Sequence, residues 1–207
     1  TEGDSASGTI TKARNAETQA VFSLRGKPMN CHKEGPKKFA ENEELNLLIN
    51  ALGLEEDIDD LRYRRIIVAT DADDDGMHIR MLVLTFFLKY YPDLVRRGHV
   101  YILQTPLFRV KNKKEVRYCY NIEEKDKAVS ALKTGVEITR FKGLGEISSN
   151  EFEDFIGEGM RLDKVKLSDE ESIAEIMEFY MGDNTIDRQN FIRHHLRSEA
   201  ELEDVNI

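Results

Sequence analysis

The apolar run Ile66-Ile67-Val68-Ala69 leads straight into Thr70-Asp71-Ala72-Asp73-Asp74-Asp75-Gly76. A short, unbroken, β-branched run of this kind suits a parallel strand covered on both faces. Helix capping does not explain the carboxylates that follow it. One or two Asp residues at a helix N-terminus complement its dipole, which accounts for Asp74 or Asp75. Four within five residues repel one another beside a low-dielectric core. Alternation along an extended chain would set Asp71, Asp73 and Asp75 on one side. An all-oxygen set of this type suits Mg²⁺, which takes few carboxylates and keeps waters and phosphate oxygens. In open α/β sheets, ligands lie beyond the C-terminal strand ends, where this cluster falls. The same residues match the opening of an EF-hand loop. The twelfth position of that loop requires Glu and here is Leu82, and the segment follows a strand rather than a helix.

Around this motif the pattern alternates between strand and helix. Residues 5–15 read as a short helix with Asp4 or Ser5 as N-cap, and residues 19–24 as a strand. Leu45, Leu48, Ile49 and Leu52 mark a helix over 43–52. Residues 77–91 read as a helix stopped by Pro92, and 99–103 as the next strand. This order predicts an α/β domain with a mainly parallel sheet. Residues 107–110 and 115–120, joined by Lys-Asn-Lys-Lys, read as a hairpin, and 138–141 as another short strand. From Asn150 onward the chain reads as helical and acidic. The opening glycine turn (Gly3, Gly8) is of a kind that follows a strand, so a strand is expected upstream of Thr1.

The 207 residues suffice for one domain, or a domain with an appendage, and a composition 40% hydrophobic and 33% charged is that of a globular chain. Apolar runs reach only four or five residues and no secretory segment opens the chain, so no membrane role is expected. Cys31 and Cys119 are far apart and without metal spacing, which argues against a disulfide scaffold or zinc cluster and fits a reducing cytoplasm. The net charge of −9 is unevenly spread: +2 over residues 1–142 and −11 over 143–207. Arg25, Lys27, His32, Lys33, Lys37 and Lys38 form a basic stretch with one acid, Glu34; Arg140 and Lys142 lie further on. A solvated loop is the plain reading. Cations around a carboxylate–Mg²⁺ centre are also what a phosphodiester substrate requires.

Glu2-Gly3-Asp4-Ser5-Ala6-Ser7-Gly8 reads as a capped glycine turn. It resembles the Gly-Asp-Ser block of GDSL-type esterases, with Ser5 as nucleophile and Asp75-Gly-Met-His78 as the Asp-x-x-His pair. That family places the pair near the C-terminus and has a Gly-x-Asn-Asp block between, which this chain lacks.

Taken as a colinear set, these segments resemble the Toprim domain of type IIA DNA topoisomerases. The carriers are Glu2-Gly-Asp-Ser-Ala, Leu24-Arg-Gly-Lys27 with Asn30, Thr70-Asp-Ala-Asp-x-Asp-Gly-x-His-Ile79, Arg97-Gly-His-Val-Tyr101, Pro106-Leu, and Phe141-Lys-Gly-Leu-Gly-Glu146. Within the family the chain is similar to the C-terminal half of a bacterial B subunit. Residues 23–32 and 137–142 lean toward topoisomerase IV, with gyrase next. The resemblance implies a Rossmann-like, mainly parallel Toprim sheet flanked by helices over residues 1–110. It implies a mixed α+β tail region over 111–207. It also implies double-strand DNA cleavage and religation supporting ATP-dependent strand passage, with the cleaving tyrosine on an A subunit in an A2B2 heterotetramer. Glu2 becomes the general acid/base and a metal ligand with Asp71, Asp73 and, as accessory, Asp75. Mg²⁺ is the expected ion, with Mn²⁺ or Ca²⁺ able to substitute. Lys27, Asn30, His78 and Lys142 become DNA contacts, and Asp4 and Arg25 match positions near an inhibitor pocket. ATP belongs to the full-length subunit, as no nucleotide-binding glycine loop is visible here. The implied location is the cytoplasm, at the nucleoid. Other Toprim proteins, primases or OLD-type nucleases, share Glu2 and the Asp-x-Asp but lack the Leu-Arg-Gly-Lys and Phe-Lys-Gly-Leu-Gly segments. A non-catalytic DNA-binding or partner-docking module is the remaining alternative.

Overall fold

The computed structural model describes residues 1–195 apart from 56, 168 and 169. Helix α1 (Gly3–Ala13) starts directly after Glu2, which occupies the N-cap position without a capping side-chain bond. Gly3 has φ +67°, a left-handed entry that glycine adopts without strain. The expected caps, Asp4 and Ser5, therefore lie inside the helix. Among the described residues, 19–24 form no ladder, and their one sheet-like contact is a parallel bridge between Glu2 and Leu24, with Leu24 N–H donating to Thr1 O at 2.8 Å. The apolar pattern of this segment serves another end: Val21, Phe22 and Leu24 line a cavity of about 540 Å³ together with Ile66 and Val68.

Helix α2 (Pro36–Ala40) leads to α3 (Glu43–Leu52), where Asn42 accepts from the Leu45 N–H and Gly53 ends the helix at φ +75°. Leu45, Leu48, Ile49 and Leu52 are buried, as their spacing predicts. Strand β1 (Ile66–Val68) delivers the chain to the acidic motif. Helix α4 (Asp74–Tyr90) begins three residues earlier than expected, because Asp73 caps it by accepting from the Gly76 N–H at 2.8 Å. After α5 (Pro92–Arg96), β2 (Val100–Gln104) pairs in parallel with β1, Ile66 opposite Val100.

Strands β3 (Phe108–Lys111) and β4 (Val116–Cys119) form the predicted hairpin. Helix α6 (Ile122–Leu132) follows, and then β5 (Glu137–Arg140), which closes an antiparallel sheet in the order β4-β3-β5. Helix α7 (Ser149–Ile156) opens with a capping box between Ser148 and Glu151. Strand β6 (Arg161–Lys164) returns antiparallel to β2, so the first sheet, β1-β2-β6, is small and mixed. Among the described residues, parallel pairing is thus limited to β1–β2 and the Glu2–Leu24 bridge. Arg-Leu-Asp-Lys has one apolar residue and announces no strand, because an edge position needs no apolar run. Helices α8 (Glu170–Met181) and α9 (Thr185–His195) complete an α/β fold.

The main core gathers Leu45, Phe86, Phe87, Leu94 and Val100. A second joins Ala6 and Ile10 of α1 to Leu103, Phe141, Leu144, Ile147, Phe152 and Phe155. A polar junction ties the second sheet to α7. Arg109 and the Tyr118 hydroxyl both donate to Glu151 Oε1, at 2.7 and 2.6 Å. Burial alone would raise the Glu151 carboxyl, but bonds from Ser148, Tyr118 and Arg109 outweigh it and hold it at about 2, against an ordinary value of 4.5. A depressed carboxyl contributes stability that is present above its unfolded value and is lost as pH falls through the folded one. Glu151→Gln should therefore cost about 1–3 kcal/mol at pH 7 and flatten the loss of stability between pH 4.5 and 2. Urea unfolding across that range measures it, and an unchanged slope in the variant would refute the assignment.

Candidate metal centre

The fold brings Glu2 to the end of β1. Asp71 N–H points at Glu2 Oε2 over 3.4 Å, joining residues 69 apart in the chain. Asp71 Oδ1 accepts from the Leu144 N–H at 2.8 Å. Ala72 N–H donates to Lys142 O, also at 2.8 Å. The loop after β5 is thus hydrogen-bonded to the acidic motif. Asp73 uses Oδ1 for its cap. Alternation does not extend to Asp75, because the helix has already begun: Asp75 sits in the first turn of α4 and meets Lys27 Nζ at 2.6 Å. That hydrogen bond and charge hold the Asp75 carboxyl below its usual range.

Burial raises the Glu2 carboxyl above its ordinary value. The Asp71 N–H opposes this, and the charges of Asp71, Asp73 and Asp75 add to it. Glu2, Asp71 and Asp73 each keep one carboxylate oxygen that accepts no hydrogen bond among the described residues. No group of three or more metal-ligating side chains closes into a ready-made cage among the described residues. Few carboxylates with spare oxygens fit Mg²⁺, whose remaining positions go to water and phosphate.

The basic stretch is stitched to α8. Asn30 donates to Met181 O at 2.9 Å and accepts from the His32 N–H at 3.0 Å. His32 meets Glu178 at 2.7 Å, and Lys33 pairs with Asp183. Asn30, expected at DNA, here has its amide engaged inside the protein. His78 and Lys142 are exposed. Asp4 accepts from Ser23 at 3.2 Å, while Arg25, also exposed, uses its backbone N–H on Glu44. No hydrogen bond links Ser5 to His78 among the described residues, so the esterase pairing is not formed.

Sequence reasoning passed over Arg80. It reaches from α4 to the Thr70 hydroxyl at 3.1 Å, one residue from Asp71. Its Nε is buried without a partner among the described residues, and burial lowers its pKa. Its place in the turn of α4 after His78 was the available signal. The role of the Leu144 N–H had no side-chain signal at all.

The pattern of the Toprim domain matches residues 1–105, and that of the DNA gyrase B subunit carboxyl terminus matches residues 133–193. The B subunit of DNA topoisomerase 4 from Borreliella burgdorferi is 55% identical over 95% of this chain and 33% of its own length. The DNA gyrase B subunit of Thermus thermophilus is 40% identical over 98% of this chain, and that of Halalkalibacterium halodurans likewise 40% over 98%. The chain spans about a third of the length of these curated relatives. Toprim residues cover half the chain, they carry the acidic motif to the strand end, and a gyrase-B-type carboxyl-terminal region follows. The chain belongs to the Toprim family, in the form carried by the B subunits of type IIA DNA topoisomerases.

Proposed function

We propose that this region is the Mg²⁺-binding part of the DNA cleavage core of a type IIA topoisomerase, acting with an A subunit that supplies the tyrosine in an A2B2 assembly. The observation that carries the reading is the meeting of Glu2 with Asp71. Two carboxylates from distant segments share one site, and burial raises the Glu2 carboxyl above its ordinary value. The tyrosine hydroxyl gives up its proton to solvent as its oxygen forms a bond to phosphorus and the bond from phosphorus to the DNA 3′ oxygen breaks. The proton that the 3′ oxygen needs comes from Glu2, and religation returns it. Because one phosphodiester replaces another, placing the leaving oxygen and supplying its proton is the main task, and tyrosine and carboxylates can sit on different chains. Glu2, Asp71 and Asp73 would hold Mg²⁺, with Asp75 as accessory. The ion would supply charge stabilisation at the reacting phosphate.

Lys27, His78 and Lys142 are proposed DNA contacts. Lys27 is held at Asp75, and its ammonium has further N–H groups for a phosphate. For Asn30 we propose that it fixes the loop carrying Lys27, through Met181. Asp4 and Arg25 remain candidates for an inhibitor pocket. The region divides into a Toprim domain, residues 1–110, and a tail region, 111–207. Part of the tail's acidity is used against His32 and Lys33, and exposed Ile176 and Tyr180 on α8 suit protein contact better than DNA. ATP hydrolysis belongs to other parts of the full-length subunit, which works in the cytoplasm at the nucleoid. The greater identity to a topoisomerase 4 relative favours decatenation over gyrase-type supercoiling. Comparing these two activities in the full-length subunit with its A subunit tests that choice.

In the reconstituted enzyme, Asp71→Ala or Asp73→Ala is expected to abolish cleavage, measured as the covalent DNA–protein product with Mg²⁺. Wild-type yield from either would remove the metal assignment. Glu2→Gln keeps shape but cannot titrate. It should slow single-turnover cleavage by at least about 10²-fold while metal-free DNA affinity stays nearly constant. Lost DNA binding with normal cleavage at saturating DNA would make Glu2 a duplex-positioning residue instead. Ser5→Ala should leave cleavage within about tenfold of wild type, since Ser5 neither caps α1 nor meets His78. Ester hydrolysis lost in Ser5→Ala would revive the nucleophile reading.

A further inference from the structure

The direction in which Asp71 points is set by residues far along the chain. Its main chain is pinned against Gly76, where a Cβ would lie 2.2 Å from the Asp71 carbonyl oxygen. Its Oδ1 takes the Leu144 N–H. Its Oδ2 lies over Gly143, where a Cβ would stand 3.1 Å away, and the three atoms nearest that Cβ all belong to the Asp71 carboxylate. The loop itself is not free to follow. Phe141, Leu144 and Ile147 are 5%, 2% and 2% exposed. They sit in the same core as Ala6 and Ile10 of α1, the helix that starts from Glu2. One apolar anchor therefore fixes both the segment carrying Glu2 and the backbone donor that orients Asp71.

We infer that residues 142–146 are a positioning device for the metal site: the Leu144 N–H holds Asp71 Oδ1, and the bare face of Gly143 leaves Oδ2 free to bind the ion. The inference rests on the metal reading above. Donors of this kind, bonded to a ligand rather than to the metal, commonly govern metal affinity by about 10–100-fold. Gly143 has φ −105° and ψ 148°, which alanine adopts without strain. Gly143→Ala is thus a backbone-neutral probe whose added methyl comes nearest to the Asp71 carboxylate. Gly8 has nothing within 4 Å of a built Cβ and serves as the control.

The experiment titrates the nucleotide-free full-length subunit with Mn²⁺, following free Mn²⁺ by electron paramagnetic resonance, in wild type, Gly143→Ala, Gly8→Ala and Asp71→Ala. Gly143→Ala should raise the Mn²⁺ midpoint about tenfold or more with an unchanged thermal midpoint, and Gly8→Ala should leave it alone. With the A subunit and DNA, Gly143→Ala should need correspondingly more Mg²⁺ for half-maximal cleavage but recover most of its rate at saturating Mg²⁺. A wild-type midpoint in Gly143→Ala, or an equal shift in Gly8→Ala, overturns the positioning role while leaving the metal reading intact. Wild-type Mn²⁺ binding by Asp71→Ala overturns the metal reading and this inference with it. Should Gly143→Ala fail to fold, amide exchange in full-length Asp71→Ala decides the matter. Residues 142–146 should exchange faster than in wild type, and unchanged protection there overturns the inference.

Discussion

Carboxylates that repel one another have to be held together by something else, and in this chain the holding is done by backbone N–H groups. Asp71 takes the Leu144 N–H, Asp73 takes the Gly76 N–H, and Glu2 receives the Asp71 N–H at longer range. Such charge-assisted bonds are stronger than neutral ones, and they offset part of the repulsion without consuming a carboxylate's second oxygen. A side-chain cation at each acid would have neutralised the group and closed it to a metal. Backbone donors leave the negative potential in place. The rest of the fold follows from the need to bring these donors together. The strand end, the start of α4 and the loop after β5 are each fixed by buried apolar residues, Val68, Ile79 and Leu144 among them.

Asp75 is the exception, and its environment explains it. Lys27 and Asp75 are both largely exposed, with side-chain accessibilities of 49% and 70%. An ion pair in that setting contributes little to stability, so it can open at low cost. Lys27 lies on the basic stretch, which is tied to α8 by Asn30 and His32 and to the turn after it by Lys33. The strongly acidic C-terminal part and the basic N-terminal stretch are therefore partners rather than independent surfaces. Part of the charge asymmetry visible along the sequence is neutralised within the fold itself.

Regular periodicity made much of the architecture legible in the sequence. Leu45, Leu48, Ile49 and Leu52 announced α3, and Ile66 to Ala69 announced β1. The apolar residues of 19–24 misled because a short apolar segment states only that it is covered. It does not state that a strand lies alongside, and here Val21, Phe22 and Leu24 face a cavity. β6 escaped notice for the opposite reason: its pairing with β2 is made by backbone groups, and Arg161, Asp163 and Lys164 remain exposed. The approach of Glu2 to Asp71 had only the family resemblance to announce it, because no local pattern links residues 69 apart. The grouping of Asp71, Asp73 and Asp75 by strand alternation failed at Asp74, where helix φ and ψ replaced extended ones.

Toprim residues end near 105 and the gyrase-B-type pattern begins near 133, yet the donor to Asp71 is Leu144. A cut made between the two patterns would leave Asp71 Oδ1 without its N–H and expose Phe141, Leu144 and Ile147 together with the face of α1 they cover. Burial of those side chains stabilises the contact by several kcal/mol at about 25 cal/mol per Å² of apolar surface. The carboxylate site therefore belongs to both regions at once. A sequence boundary drawn from pattern similarity does not mark an energetic one here, because the apolar anchor that stabilises the second region also fixes the N–H that holds Asp71 in the first.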